Sequence, residues 1–334
     1  MSSGVMNYEK KGYGRMMVPT PEAYDSGINR RISPYRGIIV AIPAFNEEVA
    51  IGSIVILSLK YAETVLVIDD GSHDNTSEIA RMAGAEVIRH DVNQGKGMGI
   101  KEAFQFAKER NAKVLVLIDG DGQHNPDEIP LLIKPILSGE ADIVNGSRFI
   151  VKNGHQVPKY RRVGQEVLTA VTNLGSKRKV TDSQNGFRAF SGRSFDCFSF
   201  ENTNMAIESE MLIDAASADM RIKEVQIYVR YDVAGSTYNP IVHGLSVLVT
   251  TIAMISRKRL LLFFGTPGIA FLLLGVLLIF FEINTVNITP NATILYGTTG
   301  VLSIVMGILC LFSGVILSYI QSVVTRLTRA IKEG

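Results

Sequence analysis

The chain has 334 residues, 46% of them hydrophobic, and a formal net charge of +2. That length is enough for one large domain plus a further segment, and the near-neutral balance gives no global attraction for nucleic acid. Two cysteines, Cys197 and Cys310, lie in segments of different character, and five histidines are scattered without metal-ligand spacing. Neither a disulfide framework nor a zinc site is expected, and a reducing compartment suits Cys197. The first 36 residues form a polar extension containing Gly and Pro, with no apolar core and no signal-peptide pattern.

Residues 37–235 then alternate strand and helix patterns, within a domain assigned to 37–239. Gly37 to Pro43 reads as a strand running into Asn46-Glu47-Glu48, which opens a helix. Thr64 to Asp70 is a second strand ending in the carboxylates of Asp69 and Asp70; Asp74-Asn75-Thr76 supplies N-cap chemistry for a helix near 76–83. Ala85 to His90 is a third strand. The Gly-rich stretch Asn93 to Gly97 either brings backbone N–H groups and Lys96 toward phosphates or makes a plain turn before a helix at 98–110. Lys113 to Ile118 is a fourth, β-branched strand that empties into Asp119-Gly120-Asp121-Gly122-Gln123-His124. Asp119 and Asp121, spaced i and i+2, share one face of extended backbone and in a tight turn converge with the Gln123 carbonyl on one hard cation, Mg²⁺ or Mn²⁺. Taken alone, the same stretch serves equally as an acidic turn capping a helix that starts near Pro126. Ala141 to Asn145 is a fifth strand. A helix over Met205 to Ala218 carries Glu208 and Glu210, which point apart, so at most one faces a site; Glu210 is the one assigned.

Strand and helix in this order imply an open, mostly parallel α/β sheet. Asn46, Asp69, Asp70, Asp119 and Asp121 then collect at the C-terminal strand ends, where such sheets bind ligands. The Gly-x-Gly-x-x-Gly of a dinucleotide fold and a Walker phosphate loop are both absent.

The C-terminal quarter has a different character. No charged residue occurs from Leu260 to Phe281 or from Ile283 to Thr325, and about 20 apolar residues cross a bilayer core. Two spans fit, near 266–284 and 294–320, within a hairpin assigned to 260–325. Thr266 and Pro267 suit an N-cap and first helical position for the first span. Arg257, Lys258 and Arg259 precede the pair and Arg326, Arg329 and Lys332 follow it in a tail at 326–334, whereas the connecting loop has no basic residue. The positive-inside rule puts both termini and the α/β domain in the cytoplasm, on a cell membrane or an endoplasmic reticulum membrane. Asn287 and Asn291 stand in glycosylation sequons in the outward loop. Residues 240–259 read as a juxtamembrane helix lying along the cytoplasmic leaflet; a core helix of the soluble domain is the competing reading.

Ile42 to Glu48, Ile68 to Ser72 with Asp74 and Thr76, Asn93 to Gly97, Asp119 to His124, and Gly146-Ser147-Arg148 occur in this order. Together they resemble family 2 glycosyltransferases with the GT-A fold, and more narrowly the dolichyl-phosphate mannose synthase and polyprenyl-phosphate glucosyltransferase branch. The resemblance implies that Pro43, Asn46, Glu47, Asp69 and Asp70 line a base and ribose pocket. It implies that Asp119, Asp121 and Gln123 hold the metal and the nucleotide diphosphate, with Lys96 and Arg230 on the nucleotide-sugar side. It implies further that Arg148 and either Arg161 or Arg162 clamp a lipid phosphate. The segment Asp182 to Phe190 resembles a family motif, with Asn185 where Ser is usual. Arg230 and Ser236 resemble a late phosphate-side motif, in which Thr237 stands where Lys is common.

These residue types suit one chemistry. Expelling a nucleoside diphosphate from an anomeric carbon needs charge stabilisation on the leaving group, which a carboxylate-held divalent cation provides. A lipid monophosphate is already anionic and needs alignment rather than deprotonation, a task for planar guanidinium groups. The expectation is an inverting, metal-dependent hexose transfer from a nucleotide sugar to dolichyl or polyprenyl phosphate at the bilayer surface. A glycolipid synthase using a lipid hydroxyl, or a non-catalytic nucleotide-sugar-binding protein, is the alternative. A processive polysaccharide synthase fits poorly, since the chain has no Trp for a Gln-x-x-Arg-Trp motif. A homo-oligomer is compatible with all of this.

Overall fold

The computed structural model describes residues 35–151, 159–176, 179–200, 206–230, 247–252, 260–285 and 290–333. The N-terminal extension up to residue 34, Ser236, Thr237, Arg257 to Arg259, Asn287 and most of the 240–259 segment lie outside the described residues.

All five strands expected from the sequence are present: β1 (Ile38–Ala44), β2 (Thr64–Asp69), β3 (Glu86–Arg89), β4 (Val114–Leu117) and β5 (Ile143–Ser147). Two more, β6 (Arg188–Ser191) and β7 (Ile222–Gln226), complete a seven-stranded sheet of order β3-β2-β1-β4-β6-β5-β7. Only β6 runs antiparallel to its neighbours. Strands buried on both faces read as continuous apolar runs, and β1 is such a strand. Ile38, Val40 and Ile42 face one core; Ile39 and Ala41 face the other. The first core includes α1 (Ile51–Ser58) and α4 (Ile129–Leu137); the second includes α3 (Lys96–Glu109) and α6 (Ile207–Ser217). Helices α2 (Thr76–Met82) and α5 (Lys159–Ser176) complete the domain. The helix start expected near Pro126 is a 3-10 turn, Pro126–Glu128, capped by Asn125 Oδ1, which accepts from the Asp127 amide at 3.1 Å.

The two outermost residues of β1 decide where the sheet opens. Odd-numbered β1 residues bond toward β4, as Ala41 O does in accepting from Ile118 N at 3.1 Å; even-numbered ones bond toward β2, as Ala44 O does in accepting from Asp70 N at 2.9 Å. Pro43 therefore turns its missing N–H toward β4. The β1–β4 register ends at Ala41–Leu117, so the ladder loses no bond there. Strand order also reverses at this place, with β2 and β3 on one side of β1 and β4 on the other, and a crevice at such a reversal is where open sheets take ligands.

Beyond the domain, α7 (Leu260–Thr285) and α8 (Pro290–Glu333) contain Phe263–Asn284 and Ile294–Ile320, with mean hydropathies of 2.3 and 2.5. Both are long and apolar enough to cross a membrane, and only 11% and 17% of their apolar windows are buried, unlike core helices of a soluble fold. The helix start expected at Thr266 is not there: α7 begins at Leu260 and Pro267 lies inside it. Without water to satisfy open backbone, an apolar segment stays helical through a proline. Gly268 and Gly275 face Gly307 and Gly300, and a Cβ on Gly275 would stand 2.7 Å from Gly300 O. Side-chain-free positions seven apart let the two backbones touch.

Candidate active site

Two loops at the open edge are strapped together before any ligand is considered. Asn46 takes a left-handed φ of 57°, which Asn tolerates better than most residues. Its amide donates to Ser72 Oγ at 2.8 Å, and its own Oδ1 accepts from His73 N at 2.8 Å. Glu47 N donates to Thr76 Oγ1 at 2.8 Å, and Glu48 N to Asp74 Oδ2 at 3.2 Å. Glu48 Oε2 accepts from the Asn75 amide and side chain. The expected N-cap is made by Asp74, whose Oδ1 accepts from Thr76 N at 3.0 Å. Asp69, fully buried, accepts from Ser72 N at 2.9 Å and from Ser77 Oγ. Asn46 and Asp69 thus build the loops, while the half-buried Glu47 carboxyl is left under the influence of the next acidic group.

That group follows β4. Asp119 Oδ1 lies 2.6 Å from Lys96 Nζ, which also lies 2.8 Å from Glu208 Oε1; His124 Nε2 stands 3.6 Å from Asp119 Oδ2. Burial would raise the Asp119 carboxyl, but the Lys96 ammonium and nearby His124 hold it well below the usual carboxylate range. Burial likewise pulls Lys96 down, and the two carboxylates hold it well above its ordinary value. Asp121 is pushed up by burial and by the charge of Asp119. Burial and the charges of Asp121, Asp119 and Asp74 push Glu47 up to about 7. Gly186, two residues ahead of β6, approaches so closely that a Cβ would sit 2.5 Å from Asp119 Oδ2.

Carboxylates that raise one another's proton affinity form a site short of positive charge, and their oxygens are hard donors. Among the described residues no three acidic, histidine or cysteine side chains converge as a ready metal cage. Mg²⁺ and Mn²⁺ bound with a substrate diphosphate need only one or two carboxylates, the rest being phosphate oxygens and water. Asp119 and Asp121 fit that description. Gln123 enters through its backbone: its amide donates to Asp121 Oδ1 at 3.0 Å, and its carbonyl accepts from Arg230 N at 2.9 Å. The Gln123 carbonyl, expected as a third ligand, therefore already has a partner.

Asp70 holds the Gly-rich loop. Its carboxylate accepts from Gln94 N at 2.7 Å and Gly95 N at 2.8 Å. Lys96 and Gly97 form the first turn of α3, with Gly95 before them at φ 93°. Asn93 to Gly95 thus form a turn tied to Asp70 ahead of a helix that begins at Lys96, and it is the Lys96 side chain that reaches Asp119.

At the C-terminal end of β5, Arg148 is gripped by fully buried Asp182: Nε to Oδ2 at 2.6 Å and Nη2 to Oδ1 at 2.8 Å. Gln165 Oε1, with its amide turned to suit, accepts from Arg148 Nη1 at 3.0 Å. The Arg148 side chain is thus fixed in place, with its charge matched by Asp182. Arg162 is exposed and pairs with Glu166 at 2.9 Å one helical turn away; the Arg161 side chain lies outside the described residues. Pro43 is half-buried near the C-terminal end of β1.

Two placements differ from expectation. Glu210 is not beside the Asp119 cluster; its Oε1 accepts from Ser199 Oγ at 2.9 Å. Glu208 takes that place, with Oε1 on Lys96 and Oε2 buried without a partner in the structure. The i, i+2 spacing foretold that the two diverge, and the packing of α6 chooses between them. Arg188 was visible only as part of a motif, yet its side chain is fully buried. It donates to Asn185 O, Glu208 O and Ser183 O at 2.9, 2.7 and 2.8 Å.

Residues 39–200 match the family described as Glycosyl transferase family 2. A UDP-N-acetylglucosamine–dolichyl-phosphate N-acetylglucosaminyltransferase of Methanococcus voltae is 34% identical over 226 residues, 60% of this chain and 89% of that protein. A dolichyl-phosphate hexose transferase of Haloferax volcanii is 30% identical over 228 residues, 67% of this chain and 96% of that protein. A solved structure of glucosyl-3-phosphoglycerate synthase from Mycobacterium tuberculosis, with Mn²⁺ and UDP-glucose, matches with a TM-score of 0.53 at 22% identity. It covers 65% of this chain and 78% of that one. The structural likeness establishes the GT-A fold.

Proposed function

The chain belongs to glycosyl transferase family 2 and is a glycosyltransferase, and we propose that it moves a hexose from a nucleotide sugar to a polyprenyl phosphate at the cytoplasmic membrane face. The observation that carries this reading is the acidic pair Asp119 and Asp121, able to serve a diphosphate, at the C-terminal edge of the sheet, the edge at which Arg148 is held by Asp182. Two hydrophobic helices long enough to span a bilayer keep the domain where a polyprenyl chain resides. The names of the two dolichyl-phosphate relatives support the acceptor class.

In this reading Asn46, Glu47, Asp69 and Asp70 shape the nucleoside end through the strapped loops. Lys96 and the backbone of Arg230 stand at the diphosphate. Asp119 and Asp121, with the Gln123 turn behind them, would hold Mg²⁺ or Mn²⁺, which when bound supplies charge stabilisation to the leaving diphosphate. Arg148, with Arg161 or Arg162, orients the acceptor phosphate so that its oxygen attacks the anomeric carbon from the face opposite the departing diphosphate, inverting that centre. No general base is needed because the acceptor oxygen is already anionic. Glu208 rather than Glu210 is the acidic residue beside Lys96.

The direct test uses the full chain in detergent with Mn²⁺ or Mg²⁺, a panel of nucleotide sugars and polyprenyl phosphate, followed by chromatography of the lipid product. A product released by mild acid is expected. An acid-stable product would transfer the reading to a lipid-hydroxyl acceptor, and no product from any donor would leave a binding protein. Gly186→Ala forces a Cβ into the Asp119 carboxylate and is expected to lower kcat by about tenfold or more through misplacement of that group, with far-ultraviolet circular dichroism unchanged. Wild-type turnover in this variant would show that the close approach is immaterial.

A further inference from the structure

His90 immediately follows β3, is 6% exposed, and takes part in none of the steps above. Its Nδ1 lies 2.8 Å from Asp70 Oδ1 and its Nε2 lies 2.8 Å from Glu102 Oε2. Burial lowers the imidazole's proton affinity, but hydrogen bonds and charge from both carboxylates lift it above the ordinary value, and each ring nitrogen lies within hydrogen-bond distance of a carboxylate oxygen. The two ends of this strut hold different elements. Asp70 is the carboxylate that receives the amides of Gln94 and Gly95, in a loop whose residues Asp91 to Gln94 are exposed. Glu102 belongs to α3, the helix that begins at Lys96. Gly71 closes the same junction from below, since a Cβ there would stand 2.9 Å from the Val92 carbonyl carbon.

We propose that His90 is a positioning residue for the donor diphosphate: it ties the end of β2 to α3, and through Asp70 and Glu102 fixes the loop amides and Lys96 over Asp119. The inference rests on the reading of Lys96 as a diphosphate-side group. His90 touches no substrate and acts only through its two carboxylate partners.

The test is made on the full chain in detergent with Mn²⁺. UDP and GDP are titrated calorimetrically into wild type, His90→Gln and Glu102→Gln, and donor and acceptor concentrations are then varied separately in the transfer assay. His90→Gln is expected to weaken binding of the preferred nucleotide, and to raise the donor KM, by about tenfold, with acceptor KM and kcat within about twofold. Glu102→Gln moves the donor KM the same way by about threefold. It also carries the test if the buried substitution fails to fold, because the Glu102 side chain is 29% exposed. A purely structural role would reduce the active fraction, lowering kcat while leaving both KM values alone, and would overturn the proposal. So would unchanged nucleotide affinity in both variants. If wild type binds neither UDP nor GDP and transfers no sugar, the reading of the site itself fails, a result distinct from failure of the variants alone.

Discussion

Asp121→Asn is expected to lower kcat by about 10³ or more with the fold intact, because it removes a charge that no neighbour replaces. Asp119 is balanced by Lys96 and His124, whereas Asp121 is pushed up by burial and by Asp119, and among the described residues has only a turn amide as its hydrogen-bond donor. Loss of one well-placed electrostatic group typically costs about 10² to 10³, and loss of the cation costs more. A second measurement separates this from misfolding. Glu47 carries a folded-state value of about 7 against an ordinary 4.5. Between those values the folded chain holds more protons than the unfolded one. The stability conferred by that proton is present below about 4.5 and is lost as pH rises through 7. A divalent cation fills the same charge deficit. The rise in melting temperature produced by Mn²⁺ is therefore expected to be small at pH 5 and large at pH 8, and to shrink at both in Asp121→Asn. A Mn²⁺ effect that is equal in the variant would remove Asp121 from the cation site.

Arg188→Met is expected to destabilise the chain by roughly 3–9 kcal/mol, at about 1–3 kcal/mol for each of the three buried carbonyls that loses this donor. Asn185, Glu208 and Ser183 lend those carbonyls, so one side chain joins the turn before β6, the start of α6 and the segment that carries Asp182. Burial pulls the guanidinium below its ordinary value, while Glu208, Asp182, Glu224 and Asp119 work to keep it charged. Methionine keeps much of the volume and none of the donors. Chemical denaturation in detergent measures the change, and a midpoint close to wild type would mean that water or a rotated backbone satisfies the three oxygens. Since Gly186 and Asp182 sit on the stitched segment, transfer should also fail well below the unfolding midpoint.

The parts of the fold that could be read from the chain are those where one physical signal suffices. Four buried strands, β1, β2, β4 and β5, announce themselves by apolar runs, β3 shows only through Val87 and Ile88 between exposed charges, and Asp69, Asp70, Asp119 and Asp121 mark the rims where β2 and β4 stop. Strands β6 and β7 escaped because β6 begins on a buried arginine and β7, Ile-Lys-Glu-Val-Gln, lies at the sheet edge with polar side chains. The choice of Glu208 over Glu210 depends on how α6 is rolled against its neighbours, which spacing cannot convey. The grip of Asp182 on Arg148 joins positions 34 apart in sequence. The start of α7 was misjudged because a Thr-Pro pair is a cap in water but not in an apolar run of this length.

Pro43 leaves the β4-facing side at the end of β1 without a backbone donor. Where β1 and β4 part, every other residue type would present an N–H across the gap, ready to be claimed by water or by the wrong oxygen. Recognition is thereby left to the turns, whose sequences can drift without disturbing a strand.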